Sequence, residues 1–296
     1  MSATTTEAPG AFNSAAGNAG PLSLLGTAIE DIRSRRRLVR YLVQAEMKKR
    51  GSNTILGNVW WVLDPLLQMI VYVVFVTIIG RGRSIPDYPL FILSAILPWK
   101  WFTASIGDAT TAVASQAQLI RQIAFPKIVL PVASATAGVV GFAWGLIPLG
   151  LVTLLYRDRL SAYILLIPVI AMVQYVFTMA VAILISAANV FARDIGNISG
   201  HFLRLWWFMS PGLYPLAALE TVGFFREHPT LQTLAALNPF AVLFEAYRMV
   251  IYGSQTGPPG PPNWLSLGLL LLASLGLLAV AAIAFKRAEP QFAKVL

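Results

Sequence analysis

The chain of 296 residues contains no cysteine. Disulfides and thiolate chemistry are excluded, and the compartment is left open. Charge is scarce: 12% of residues are Asp, Glu, Lys or Arg, against about 25% in a soluble domain. There are two histidines, His201 and His228, and neither has metal-ligand spacing around it. No Gly-x-Ser-x-Gly elbow occurs, and acids such as Asp64 and Glu245 have no base paired with them in sequence. A phosphate-binding P-loop needs glycine directly before its lysine. None of Lys48, Lys49, Lys100, Lys127, Lys286 and Lys294 follows glycine, so ATP is not bound by that route. If the chain pumps, the nucleotide site is on another chain.

What is abundant is apolar sequence: 57% of residues are hydrophobic and mean hydropathy is +0.68. The chain is therefore expected to be an all-α integral membrane protein. Its net charge of +9 does not point to nucleic acid, because the cations cluster beside apolar spans, where orientation and anionic headgroups explain them. Residues 1–28 are mostly small and polar, lack the basic start and apolar core of a signal peptide, and read as a disordered tail. Residues 29–54 form an amphipathic basic segment. Ile32, Leu38, Leu42, Val43 and Met47 make its apolar side; Arg36, Arg37, Arg40, Lys48 and Arg50 belong to its basic side, suited to a membrane interface.

Residues 55–286 read as a six-span domain, with spans at about 59–80, 88–105, 128–155, 161–191, 203–221 and 264–285, followed by a tail at 287–296. Each span approaches the roughly 20 residues needed to cross about 30 Å of hydrocarbon. Six spans put both termini on one side. Positive charge in the N-terminal segment, with Arg121, Lys127, Arg193, Arg204, Lys286, Arg287 and Lys294, marks that side as cytoplasmic. No internal repeat is visible, which argues against an inverted-repeat carrier.

In the first span Trp61, Pro65, Gln68, Tyr72 and Phe75 recur at steps of three and four and share one helical face. In the fifth, Trp207, Ser210 and Tyr214 fall on one face and Trp206 on its neighbour. Such stripes serve packing or line a passage, where rings stack on sugar C–H faces and phenol, amide and indole groups bond sugar oxygens. Trp60, Trp99, Trp101 and Trp264 read as interfacial anchors. LIRQIAFPK, 119–127, offers an apolar side of Leu119, Ile120, Ile123 and Phe125 and a polar one of Arg121, Gln122 and Lys127, either a docking element or an ordinary loop helix. In 237–253 Asn238 can cap a helix whose first residue is Pro239, and Glu245 and Arg248 are spaced to pair. With 211–219 this segment is expected to form short re-entrant helices at the outer face. Asp64 is expected to pair with an arginine.

Jointly, EMKKRGSNTILGNVWWVLDPL (46–66), YPLFILSAILPWKWF (88–102), LIRQIAFPKIVLP (119–131), NVFARDIGNI (189–198), WWFMSPGLYP (206–215), LNPFAVLFEAYRMVIYG (237–253) and FKRAEPQFAKVL (285–296) resemble the membrane subunits of ABC-2 type polysaccharide exporters, the Wzm/TagG-like permeases of O-antigen, teichoic acid or galactan transporters. The resemblance covers about residues 30–296. It implies a non-enzymatic subunit of the bacterial inner membrane that pairs with a second copy of itself and with two copies of an ATP-binding subunit. ATP and Mg would be bound by that partner alone. It also implies a lipid-linked glycan as substrate, a cytoplasmic interface helix near 33–50, a coupling helix at about 116–127, periplasmic gate helices within 211–252, and channel walls from spans one and five. Gly51 and Asp64 depart from the family's usual tyrosine and amide. An exporter of a drug or small lipid, or an autonomous channel or carrier, is the alternative.

Overall fold

The computed structural model describes residues 20–51, 56–79, 85–221 and 226–296. Among them every regular element is helical. Five segments are long and apolar enough to cross a bilayer: Trp60–Ile78, Tyr88–Gln116, Val129–Leu155, Ala162–Phe191 and Trp264–Val295.

The hub is the helix Tyr88–Ala112 (α4). It is apolar on nearly every side, and such a helix is buried: Leu90 to Leu97 are all enclosed. Around it pack Trp60–Ile79 (α3), Val129–Leu155 (α6), Ile167–Phe191 (α7), Asp194–Met209 (α8) and Pro239–Ile251 (α10). Trp264–Val295 (α11) lies against α7. Glycines let α6 approach closely. A Cβ at Gly138 would fall 2.0 Å from Ser105 Oγ, one at Gly141 2.4 Å from the Trp61 ring, and one at Gly145 2.9 Å from Leu97. Gln174 adds a buried polar tie, donating to the Pro98 carbonyl at 2.7 Å.

Several sequence expectations change. The N-terminal segment is two helices, Pro21–Ser34 (α1) and Arg36–Gly51 (α2), broken at Arg35. Residues 21–28 of the expected tail are helix: Pro21 opens α1, and Leu24 and Ala28, one turn apart, are buried; the rest of that expected tail, 1–19, lies outside the described residues. The second span does not fade at 105 but stays helical to Ala112. The polar connection expected at 191–204 is mostly helix, since α8 starts at Asp194. The fifth span is not one helix over 203–221. It stops at Met209, because a residue before proline is pushed out of the helical region and Ser210, preceding Pro211, is extended at φ −93°, ψ 147°. A short 3-10 turn follows at Leu216–Thr221. The short helix Ala117–Gln122 (α5) ends well before 127, again ahead of a proline, Pro126. The C-terminal tail is helical, as α11 runs through Pro290 to Val295.

The bundle thus has two ends. One, the basal end, gathers α1, α5, the start of α6 and the end of α11. The far end holds the starts of α4 and α11, the end of α6, and the loops after α8 and α10. Pro229–Ala236 (α9) and α10 have 8 and 13 residues, and α10 spans only about 20 Å, too short to cross.

Candidate functional site

Of the residues expected to line a passage, Tyr72, Trp206 and Trp207 meet at the junction of α3, α4, α8 and α10. The Tyr72 and Trp207 rings are 5.8 Å apart, which joins the first span to α8. Trp207 is buried and also packs on Trp99 at 5.5 Å and Phe244 at 5.7 Å. Trp206 meets Phe240 at 5.4 Å and Phe102 at 5.6 Å, edge to face. Trp99 and Trp101 are 6% and 3% exposed; they are core residues, not interfacial anchors, because α4 runs through the middle of the bundle. Trp60 and Trp264 are 43% and 52% exposed. Within the first-span stripe, Pro65 is buried, Trp61, Gln68 and Tyr72 are half-buried, and Phe75 is 50% exposed. The stripe therefore turns inward at Trp61, which packs on Gly141, and outward at Phe75.

Asn238 links α8 to α10. Its side-chain oxygen caps α10 by accepting from Phe240 N, and accepts from Trp206 Nε1, both at 3.0 Å. Its amide donates to Ser210 Oγ at 2.8 Å. Pro239 is the first residue of α10, as the sequence indicates. Glu245 and Arg248 do not form the expected pair. Glu245 faces outward, while Arg248 is buried, donates to the Gly212 and Tyr214 carbonyls and lies over the Phe91 ring at 3.8 Å. Two carbonyls and a ring face inside the protein take the place of a carboxylate outside it. Tyr214 is half-buried, and the Tyr88 hydroxyl donates to the neighbouring Leu213 carbonyl at 3.2 Å.

Sequence reading missed Arg159. Its Nε bonds Asp87 at 2.9 Å, one terminal nitrogen reaches the carbonyls of Tyr252, Ser254 and Gly257 at 2.8–3.2 Å, and its guanidinium covers the Tyr252 ring at 4.6 Å. One arginine thus fastens the far ends of α4, α6 and α10. Asp64 pairs with Lys100 of α4, not with an arginine.

At the basal end, Arg36, Arg37, Arg40 and Lys48 are exposed on α2, while Leu38, Val39 and Leu42 face the bundle. Ile120 and Phe125 turn toward the core, and Arg121, Gln122 and Ile123 face out. The side chains of Arg50 and Leu119 lie outside the described residues. Arg121 donates to the Leu296 carbonyl. The Lys127 amide donates to Glu289 Oε1 at 2.6 Å. Lys286 bridges Glu289 at 2.6 Å and Asp31 at 2.5 Å. One ionic cluster therefore joins α1, the segment after α5 and α11.

Two cavities flank α4. One of about 460 Å³ lies between α3, α4 and α6, around Asp64 and Lys100. The other, about 830 Å³, lies between the basal half of α4 and α8 and contains Arg193 and Arg204. Neither is lined by Trp207 or Ser210.

The sequence is 32% identical over 267 residues to the O-antigen export system permease protein RfbA of Myxococcus xanthus, spanning 90% of this chain and 98% of that protein. It is 24% identical over 260 residues to two proteins of the same name from Klebsiella pneumoniae, spanning 88% of this chain and 95% of each of them. No protein-family model matches the chain.

Proposed function

The chain belongs to the O-antigen export permease family, and on that premise we propose that it is the membrane-spanning subunit of an ATP-driven ABC transporter exporting a lipid-linked polysaccharide of the O-antigen class from the inner membrane. The observation that carries this is the match along 90% of this chain and 98% of the Myxococcus protein. The drug-exporter and autonomous-channel alternatives draw no support from relatives that are all named for O-antigen export.

In this reading two copies of the chain pair with two copies of an ATP-binding subunit, which holds ATP and Mg. Both termini are cytoplasmic, and α8 with the residues beyond Pro211 completes the sixth crossing. α2 with its basic side rides the interface, and residues 117–127 dock in the ATPase through Arg121, Gln122, Phe125 and Lys127. Closure of the ATPases pushes on this segment, and the Lys127–Glu289–Lys286–Asp31 cluster carries the push to α1 and α11. α3 and α8 form the channel wall, and Asn238, Pro239 and Arg248 hold the gate at the outer end. α3 leaves Leu67, Ile70, Val71, Val74 and Ile78 exposed, surface that lipid and the second copy would cover.

The test is glycan-stimulated ATP hydrolysis by the purified two-subunit complex. Arg121→Ala or Phe125→Ala should abolish the stimulation and leave basal hydrolysis. Full stimulation in both variants would remove residues 117–127 from the coupling path.

A further inference from the structure

Asp87 opens α4 in a conformation that a capping residue does not normally take. A cap residue is extended, and its side chain accepts from a backbone N–H of the first turn. Asp87 is left-handed, at φ 50° and ψ 39°, and its carboxylate caps nothing. Among the described residues it is the one non-glycine with positive φ. Left-handed backbone is unfavourable for a residue with a side chain and persists where the surroundings impose it. What holds Asp87 there is Arg159, whose Nε donates to its carboxylate at 2.9 Å.

The other side of that guanidinium sits in a cup of backbone carbonyls. Gly253 turns the chain at φ 84°, so tightly that a Cβ there would stand 2.4 Å from the Pro258 backbone. Ser254 N donates to the Gly257 carbonyl at 3.1 Å, and Gly260 N to the Met249 carbonyl at 2.8 Å. The carbonyls of Tyr252, Ser254 and Gly257 thereby converge on one Arg159 nitrogen. The Tyr252 hydroxyl donates to the Pro86 carbonyl at 2.9 Å, next to Asp87. The Arg159 side chain is 13% exposed, and Asp87 is its ion-pair partner among the described residues. Without that carboxylate a largely buried cation has no counter-charge, which is strongly unfavourable. The guanidinium then turns to water, and three carbonyls lose their donor together. The contact therefore has two whole arrangements and no stable half-way one. In the second, Asp87 is extended, its side chain is free to cap α4, and the loop at 253–260 is released from the start of α4 and the end of α6.

We propose that Asp87 and Arg159 form a two-position latch on the outer end of the export path. Paired, they hold the end of α10 against the start of α4 while the transporter rests. Parted, they let α10 move as the sugar chain passes. The backbone strain kept at Asp87 is relieved on opening and a helix cap is gained, and both offset part of the lost ion pair. The assignment rests on the export reading and names the positioning residues that set its resting state.

The chain has no cysteine, so Ile251→Cys places a lone reporter in the last turn of α10, where Ile251 is buried. Val250, also buried, is the second reporter position. Labelling by a water-soluble maleimide would be timed in the complex of the full chain with its ATP-binding partner, at rest and trapped with ATP and vanadate. At rest the parent should label slowly, and Asp87→Asn, Asp87→Gly and Arg159→Gln should each label at least about tenfold faster, one decade in the closed population. Asp87→Gly removes the carboxylate but adopts the left-handed backbone freely, so faster labelling there assigns the effect to the ion pair. In the trapped complex the parent should match the variants, because its latch is already open. Unchanged labelling at rest in Asp87→Asn and Asp87→Gly would overturn the proposal. So would a tenfold difference that persists in the trapped complex, which marks general loosening. If the complex exports no glycan while the variants still label faster at rest, the export reading fails and the two-position contact stands. If export proceeds and labelling ignores all three variants, the latch alone fails.

Discussion

Arg248 is buried at 2% exposure, and its terminal nitrogens hold the Gly212 and Tyr214 carbonyls of the loop after α8. Replacing it with methionine keeps bulk but leaves both carbonyls without these donors. Each orphaned group costs about 1–3 kcal/mol, so Arg248→Met should lower stability by about 2–6 kcal/mol, read as a fall in melting temperature of the detergent-purified protein. An unchanged melting temperature would show that the loop is held otherwise. Asn238 and Pro239 were legible in the sequence, because a capping side chain followed by proline is a local signal. Arg159 and Arg248 were not. Arg159 finds Asp87 and the Gly257 carbonyl 72 and 98 residues away, distances that no spacing in the chain encodes. Glu245, three residues from Arg248, was a decoy of the same kind: helical spacing permits the pair, but burial decides against it.

Among the helices, α11 has a role that hydropathy hides. Its basal end is polar and was expected to be a tail, yet Lys286 and Glu289 tie it to Asp31 and to the Lys127 amide. Glu289→Ala should therefore leave ATP hydrolysis by the complex near normal and lower export several-fold, measured as glycan delivered per ATP consumed. An unchanged ratio would exclude the cluster from transmission. The packing of α3 depends on Gly141 in the same way. Gly141→Val would push a side chain into the Trp61 ring, an overpacking change that costs about 1–3 kcal/mol and should appear as a lower melting temperature. Five of the six expected spans correspond to long helices because a continuous apolar run says enough by itself. The fifth misleads because Leu213, Leu216 and Leu219 keep the segment apolar after Pro211 has ended the helix. The proline was the informative residue there, as Pro126 was for the end of α5.

The whole molecule is a bundle with α4 at its centre and α3 at its margin. Of the most apolar stretch of α3, 6% is buried within the chain, and the ring-bearing face of the first span is only partly covered. The sequence marked that face without telling packing from passage; Trp61 and Tyr72 pack inward, while Phe75 remains exposed. In the proposed assembly a second copy covers α3. Native mass spectrometry of the purified complex should accordingly give two copies of this chain with two of the ATP-binding subunit; one copy of each would leave the α3 face without its proposed partner.

The account stands or falls on vesicle export. This chain and its ATP-binding subunit, separately and together, would be reconstituted in vesicles loaded on one face with a radiolabelled lipid-linked glycan, with and without ATP and Mg. Glycan protected on the opposite side is expected only when both subunits and ATP are present. Transport by this chain alone would contradict it.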